Sequence, residues 1–363
     1  MTTSIQHPGK VLVALSGGVD SSVAAALLLE QGYSVVGVTL RFLPGAQSDE
    51  VEMAARKAAV ELGIELQVFD CSTAFEERIV QPFCRAYLAG CTPNPCVICN
   101  REFKFGYLLA VADKLECDYL ATGHYSRVLN AGGPLLLARG LDRRKDQSYF
   151  MFCIAAMDLS RFIFPLGEMS KDQVRQAAQR FGLSSESNAE SQDICFVPDN
   201  DYRRLVAAHA DHTGRGQSEQ TTCREVITPG EILHVNGTVL AQHQGIYAYT
   251  VGQRRGLGIA WPEPLYVIRL DAQHNQVVVG EKEHLLQQQI SVRDVVWGVD
   301  VPRGEGVRVQ CQIRYRQQGV DALVTPTATG AVVQFDTAQR GISPGQAAVF
   351  YRDNTVLGGG WIC

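Results

Sequence analysis

The 363-residue sequence predicts an α/β protein: a parallel sheet with helices on both faces, then a small central domain, then a C-terminal β-barrel-like domain. Three observations point there. Short apolar runs alternate with helix-forming stretches through the first third of the chain, the pattern of strand-helix-strand units. A Gly-Gly turn joins the first apolar run to the first helix. From about residue 206 the alternation gives way to short strand-like runs between Gly, Pro and Asp turns, which suit a small barrel or sandwich. The expected domains are residues 1–205, 206–283 and 284–363.

Taken in order, Val11 to Leu15 is too short for a helix and reads as a buried strand, while Val23 to Glu30 is rich in Ala and Leu and stops at Gly32. Gly17 and Gly18 permit a sharp turn between them, and Asp20, Ser21 and Ser22 offer oxygens to the first free helix amides. Such a helix start, with its macrodipole behind it, is a site for phosphate. Ser34 to Leu40 reads as a second strand, Glu50 to Leu62 as a helix and Glu65 to Asp70 as a third strand. Ligands of such sheets sit at the carboxyl ends of the strands, where the turn and Leu40 both fall. Two prolines within Thr92-Pro-Asn-Pro-Cys96 forbid a helix before Val97, leaving Cys96 and Cys99 on a loop or the first turn after it. Ser170 to Ala178 reads as a capped helix ending near Gly182 and carries no visible chemistry. Ala207 to Cys223 is polar and reads as a linker or loop.

Composition narrows the class. Hydrophobic residues make up 46% and charged residues 20%, ordinary for a globular chain. No run approaches a membrane span, and Met1 to Pro8 lacks the features of a signal peptide, so a cytoplasmic protein is expected, with no membrane partner. Eleven cysteines in that setting read as core residues, catalysts or metal ligands rather than as a disulfide scaffold. The net charge of −5 does not itself suggest a nucleic-acid partner, but basic residues bunch at Arg139 to Lys145, Arg254-Arg255 and Arg303 to Arg316.

The turn matches neither G-x-x-x-x-G-K-[ST] nor G-x-G-x-x-G, and no lysine closes it. Ser16-Gly-Gly-Val-Asp-Ser21 instead resembles the PP-loop, S-G-G-x-D-S, which in its superfamily holds ATP and splits it between the α and β phosphates to adenylate an oxygen. Gly90-Cys-Thr-Pro-Asn-Pro-Cys-Val-Ile-Cys-Asn-Arg-Glu-Phe-Lys-Phe105 narrows the resemblance to the bacterial tRNA-specific 2-thiouridylases, which place sulfur on the wobble uridine. Further similar segments follow in order: Ala121-Thr-Gly-His-Tyr125, Lys145-Asp-Gln-Ser-Tyr-Phe150, Glu190-Ser-Gln-Asp-Ile-Cys-Phe-Val197, Tyr249 to Ile259, Ile313-Arg-Tyr-Arg316 and Ile342 to Tyr351.

That resemblance implies the site. ATP with Mg²⁺ would lie on Ala14, Leu15, Ser16, Gly17, Gly18, Val19, Asp20 and Ser21, with Leu40 and Gly123 nearby. Asn94, Pro95 and Cys96 would border the target base. His124, Lys145, Asp146, Gln147, Arg314, Tyr315 and Gln346 would face tRNA, and the basic loop around Gly252, Gly256 and Gly258 would lie against RNA backbone. Cys195 would carry a persulfide received from a donor protein and Cys99 would be its partner, both as low-pKa thiolates. The family's substrates are Glu, Gln and Lys tRNAs. Taken alone, His124 reads as a strand-end histidine, Asp146 as a helix cap, and Cys195, between Ile194 and Phe196, as a core residue.

One departure matters. Some relatives carry Asp where this chain has Cys96. A thiol carries protons less well and binds iron better, so Cys96, Cys99 and Cys195 are also expected as ligands of a 4Fe-4S cluster, with Cys91 a candidate fourth. Zinc held there would silence the thiols. The plain disulfide-exchange route through Cys99 and Cys195 stands beside the cluster. Cys71, Cys84, Cys117, Cys153, Cys223, Cys311 and Cys363 read as structural or incidental. Competing functions are a PP-loop ligase adenylating a small metabolite and a non-catalytic, redox-sensing nucleotide-binding protein.

Overall fold

The computed structural model describes residues 8–130, 132–184, 194–197, 200–213, 227–302 and 304–363. Strands β1 (Lys10–Ala14), β2 (Ser34–Arg41), β3 (Glu65–Asp70), β4 (Tyr119–Ala121) and, after a hairpin of β5 (Ser126–Asn130) and β6 (Leu135–Arg139), β7 (Phe162–Ile163) supply the first domain. Its parallel sheet has the order β3-β2-β1-β4-β7. Alternation along β1 decides its two faces. Val11 and Val13 pack with Ala25 and Leu28 of α1 (Val19–Glu30) and Ala55 and Ala59 of α2 (Ala46–Leu62). Leu12 packs on the opposite side, with Phe105, Leu108 and Val111.

The remainder is β-rich. Strands β8 (Gly230–His234), β9 (Val239–His243), β10 (Tyr266–Asp271) and β11 (Gln276–Gly280) make a four-stranded central sheet. Strands β12 (Leu286–Trp297), β13 (Val307–Gln312), β14 (Val320–Pro326), β15 (Gly330–Arg340), β16 (Ala347–Arg352) and β17 (Thr355–Ile362) form a barrel, closed by pairing of β12 with β17. Its interior is filled by Val309, Val324, Val333, Phe335 and Phe350.

The barrel and the first domain share structure. Thr355 of β17 pairs with Ala138 of β6, so the β5-β6 hairpin extends the barrel sheet. One apolar cluster takes Tyr149, Met151 and Phe152 from the first domain and Ala347, Val349 and Tyr351 from the barrel.

Several expectations change. The polar stretch after residue 206 begins as a helix, Tyr202–Thr213, whose apolar side carries Val206 and Ala210 into the core around Phe83. Residues 214–226, with Cys223, lie outside the described residues, as do Arg303 and 190–193 of the segment before Cys195. The second helix starts at Ala46, four residues earlier than expected. Strand β13 ends at Gln312, and Arg314 and Tyr315 sit in the turn after it. Among the described residues, no helix is long and apolar enough to cross a membrane.

Phe152 is fully buried, and its ring centroid lies 6.1 Å from that of barrel residue Trp361. Phe152→Ala is expected to cost about 3–5 kcal/mol, read by urea denaturation. Separate unfolding transitions for the wild-type barrel and first domain would contradict the shared core.

Candidate functional site

The phosphate loop is built by close approach. Gly17 has φ +74°, and a Cβ there would fall 2.4 Å from that of Ala54. Gly123, leaving β4, lies so near the start of α1 that a Cβ would meet the Asp20 carbonyl carbon and Ser21 nitrogen at 2.9 Å. The expected side-chain capping of α1 is corrected. Gly18 is the N-cap and brings no side chain, while the Ser21 and Ser22 hydroxyls donate back to its carbonyl at 3.0 and 3.1 Å. Asp20 is held from outside the loop: Lys171 Nζ lies 2.7 and 2.8 Å from its two carboxylate oxygens, and the Tyr125 hydroxyl donates to it at 2.9 Å. Leu40 is the penultimate residue of β2 and is half-buried.

The cysteine helix starts at Pro95, two residues before Val97. Proline is tolerated at N1, where its missing N–H would have had no partner, so Cys96 is the second and Cys99 the last residue of this short helix, one turn apart on the same side. Asn94 is the N-cap. The barrel holds the loop before it: Gln346 Nε2 donates to the carbonyls of Thr92 at 2.9 Å and Pro93 at 3.3 Å, and Thr92 N–H donates to Pro344 O at 2.7 Å. From Asn100 to Tyr107 the helix winds with π geometry. Five residues are well past a full α turn but close to one π turn, so Lys104 comes round toward the face of Cys99.

Cys99 is buried among Phe75, Phe83, Phe103 and Phe196. Phe196 stacks edge-on against Phe75 and Phe83, at 5.7 and 5.1 Å, and so anchors the exposed Cys195 beside the same cluster. Cys96 is half-buried. Burial pushes the Cys99 thiol up to about 12 and also raises Cys96. Cys195, though exposed, has enough protein around it that desolvation raises it too. The low-pKa thiolates expected for Cys99 and Cys195 are therefore corrected for this state. Lys104 opposes the rise at all three sulfurs, and the charges of Cys96 and Cys195 act on Cys99.

Among the described residues, no three Cys, His, Asp or Glu side chains are grouped to hold a metal. Cys91 lies apart from Cys96, Cys99 and Cys195. It lies against the barrel, where Gly345 approaches its Cβ and the charges of Arg293 and Cys363 reach its sulfur. Cys71, Cys84, Cys117, Cys153 and Cys311 are buried, and Cys363 is exposed.

A cleft of about 870 Å³ opens between the first domain and the barrel. Arg139, Arg143, Arg144, Lys145, Lys171, Arg175 and Arg316 line it against Asp142, Asp146 and Asp172, giving a basic wall on an acidic protein. Asp146 is buried with its carboxylate turned inward: it accepts from Gly140 N–H at 3.0 Å, Ser148 N–H at 3.1 Å and Arg139 Nη1 at 3.0 Å. At the cleft wall its carboxylate is thus fully engaged, and it caps the turn after it. Gln147 and Tyr125 exchange two hydrogen bonds, of 2.9 and 3.0 Å. Gln312 accepts from Arg139 at 2.9 Å and donates to the carbonyls of Arg314 and Tyr315, fixing their turn, while Arg314 donates to Gly341 O. Gly252, Gly256 and Gly258 all have positive φ, and Gly252 lies beside Arg314.

The chain matches the tRNA methyl transferase HUP domain over residues 9–199, the tRNA methyl transferase PRC-barrel domain over 223–281 and the aminomethyltransferase beta-barrel domain over 287–362. It is 50% identical to the tRNA-specific 2-thiouridylase MnmA of Syntrophotalea carbinolica, over 97% of this chain and 98% of that one. The chain belongs to the tRNA-specific 2-thiouridylase family. Another member, that of Magnetococcus marinus, is 47% identical over 98% of this chain and 99% of its own. A solved structure, the U34-tRNA thiolase NcsA from Methanococcus maripaludis with its 4Fe-4S cluster, is similar over 60% of this chain and 76% of that one, at 19% identity and a TM-score of 0.36. At that level no chemistry carries across.

In this thiouridylase-family chain the fold adds two residues to those expected, Lys104 beside the thiols and Lys171 at the loop. Lys104 stands within the quoted cysteine motif, but only the π winding turns it inward. Lys171 has no local signal. His124 bonds to Thr122 Oγ1 through Nδ1 at 2.8 Å, and burial, with Lys104 adding to it, lowers its pKa to about 3. As pH falls below about 6.5 the unfolded chain binds a proton that the native state refuses until about pH 3, so this group lowers stability with acid across that window. His124→Gln is expected to unfold with a shallower pH dependence there, measured by denaturant titration. Equal slopes for variant and wild type would rule out a buried neutral His124.

Proposed function

We propose that this chain is a tRNA-uridine 2-sulfurtransferase that uses ATP to thiolate the wobble uridine. The observation that carries the reading is the convergence of a phosphate loop, two gathered thiols and a basic interdomain cleft. ATP, accompanied by Mg²⁺, lies on Ala14 to Ser21 with Leu40 and Gly123 alongside. The tRNA backbone follows the cleft and meets Lys145, Gln147, Arg314 and Tyr315. His124 and the loop held by Gln346 adjoin the uridine, which leaves the anticodon stack to reach Asn94, Pro95 and Cys96. A metabolite ligase or a redox sensor has no use for this combination.

The chemistry runs in two stages. The uracil C2 oxygen bonds to the α-phosphorus, and the electron pair of the broken P–O bond leaves with pyrophosphate, while loop amides balance the charge. A persulfide on Cys195 then attacks C2 and expels AMP. Cys99 attacks Cys195 Sγ, forming a disulfide and leaving sulfur on the base; a thiol reductant restores both cysteines. Exposure of Cys195 suits loading by a persulfide-donor protein, and burial of Cys99 keeps it out of that exchange. Lys104 supplies the positive charge that the buried thiolates need. The substrates in this reading are Glu, Gln and Lys tRNAs, modified in the cytoplasm.

Cys99→Ala and Cys195→Ala are each expected to lower 2-thiouridine formation at least about a hundredfold while keeping tRNA-dependent pyrophosphate release, followed by nucleoside mass spectrometry and phosphate analysis. Full thiolation by Cys195→Ala would end the reading. Protein purified without oxygen is expected to thiolate tRNA, given a persulfide donor, without stoichiometric iron. Iron and sulfide at cluster stoichiometry, lost in Cys96→Ala, would replace the two-cysteine relay with cluster-delivered sulfur.

A further inference from the structure

A phosphate loop of the Walker type closes on its nucleotide with a lysine of its own, and Ser16 to Ser21 contains none. The fold brings one from 151 residues away. Lys171 Nζ lies 2.7 and 2.8 Å from the oxygens of Asp20, in the first turn of α1 beside the loop amides.

Its position is built. Lys171 is the first residue of the helix Lys171–Arg180, whose start is set by a reciprocal capping box: Gln173 N–H donates to Ser170 Oγ at 3.2 Å, and Ser170 N–H donates to Gln173 Oε1 at 2.7 Å. Lys171 N–H donates to Asp142 at 3.2 Å, which ties the helix start to the cleft wall. The lysine side chain is only 12% exposed, so its ammonium is directed rather than solvated. Lys171 also lines the basic cleft, and thus stands where the cleft meets the phosphate loop.

We propose that Lys171 is a further catalytic residue of the adenylation step, its ammonium held at the loop by Asp20 and contacting the non-bridging oxygens of the α-phosphate of ATP. This rests on the function proposed above. As the uracil oxygen bonds to phosphorus and the electron pair of the breaking bond leaves with pyrophosphate, negative charge grows on those oxygens; the N3 proton goes to water. A fixed cation there stabilises the transition state more than the ground state. Loss of one such preorganised donor costs about 10²–10³-fold in kcat.

The test measures pyrophosphate release from ATP with unmodified tRNA for wild type, Lys171→Met, Lys171→Gln and Lys171→Arg, with tRNA affinity and thermal melting alongside. The Met and Gln variants are expected to lose about a hundredfold or more in kcat with tRNA affinity little changed, and Arg to recover at least about tenfold over Met. Lys171→Gln, which retains a hydrogen bond to Asp20, decides the matter if the Met variant does not fold. Overturning results are a kcat within about threefold of wild type, or a loss that follows tRNA affinity or folded fraction with no recovery by Arg. Wild type that releases no pyrophosphate with tRNA overturns the functional reading and the lysine's role together; active wild type with an equally active Met variant overturns only the lysine's role.

Discussion

The buried ion pair of Arg139 and Asp146 is the constraint on which the relation of the catalytic domain to the barrel depends. Their side chains are 11% and 6% exposed and meet at 3.0 Å. Removing one partner of such a pair leaves a buried charge and typically costs about 3–5 kcal/mol. Here every surrounding group is accounted for. Ser148 serves Asp146 and reaches the Tyr351 hydroxyl, the Arg139 guanidinium lies 3.4 Å from the Tyr351 ring centroid, and Gln312 accepts from Arg139. Arg139 and Asp146 come from the first domain and Gln312 and Tyr351 from the barrel, so the network specifies one docking geometry where the apolar cluster around Phe152 would tolerate several.

That geometry reaches the chemistry by two routes. Gln312 fixes the turn of Arg314 and Tyr315, and Gln346 holds the carbonyls just before Asn94. The barrel therefore acts as a wall of the site. On the other side, an aromatic cluster draws Cys99 and Phe196 together, and the desolvation it brings raises the Cys99 thiol. Lys104 sets a positive charge against that rise at all three sulfurs.

Much of the site was legible because its signals are local. Ser16 to Ser21, the Cys96 and Cys99 turn and Gly123 each sit in a short run whose spacing carries the chemistry, and the strand-helix alternation places those runs at one end of a sheet. Where reading from sequence went astray, a distant partner was responsible. Asp20 looked like a cap because its neighbours are helix amides, but Lys171 and Tyr125 hold it instead. Cys91 stood at a ligand-like spacing, but the barrel loop at Gly345 takes that side of the chain. Ser170 to Ala178 looked purely structural because nothing near it in sequence is a nucleotide loop.

By itself, then, the sequence determined the α/β class and the phosphate turn, which rest on periodicity and on glycine at turns, while the cysteine pair and the family followed from the resemblance of short motifs to known ones. Only the tertiary structure decided the desolvation of the thiols, the placing of Lys104 beside them, the docking of Gln346 and the delivery of Lys171 to the loop. Desolvation and charge depend on what packs within a few ångströms: Phe75, Phe83 and Phe103 gather around Cys99 from nearby segments, but Lys171 and Gln346 arrive from far along the chain.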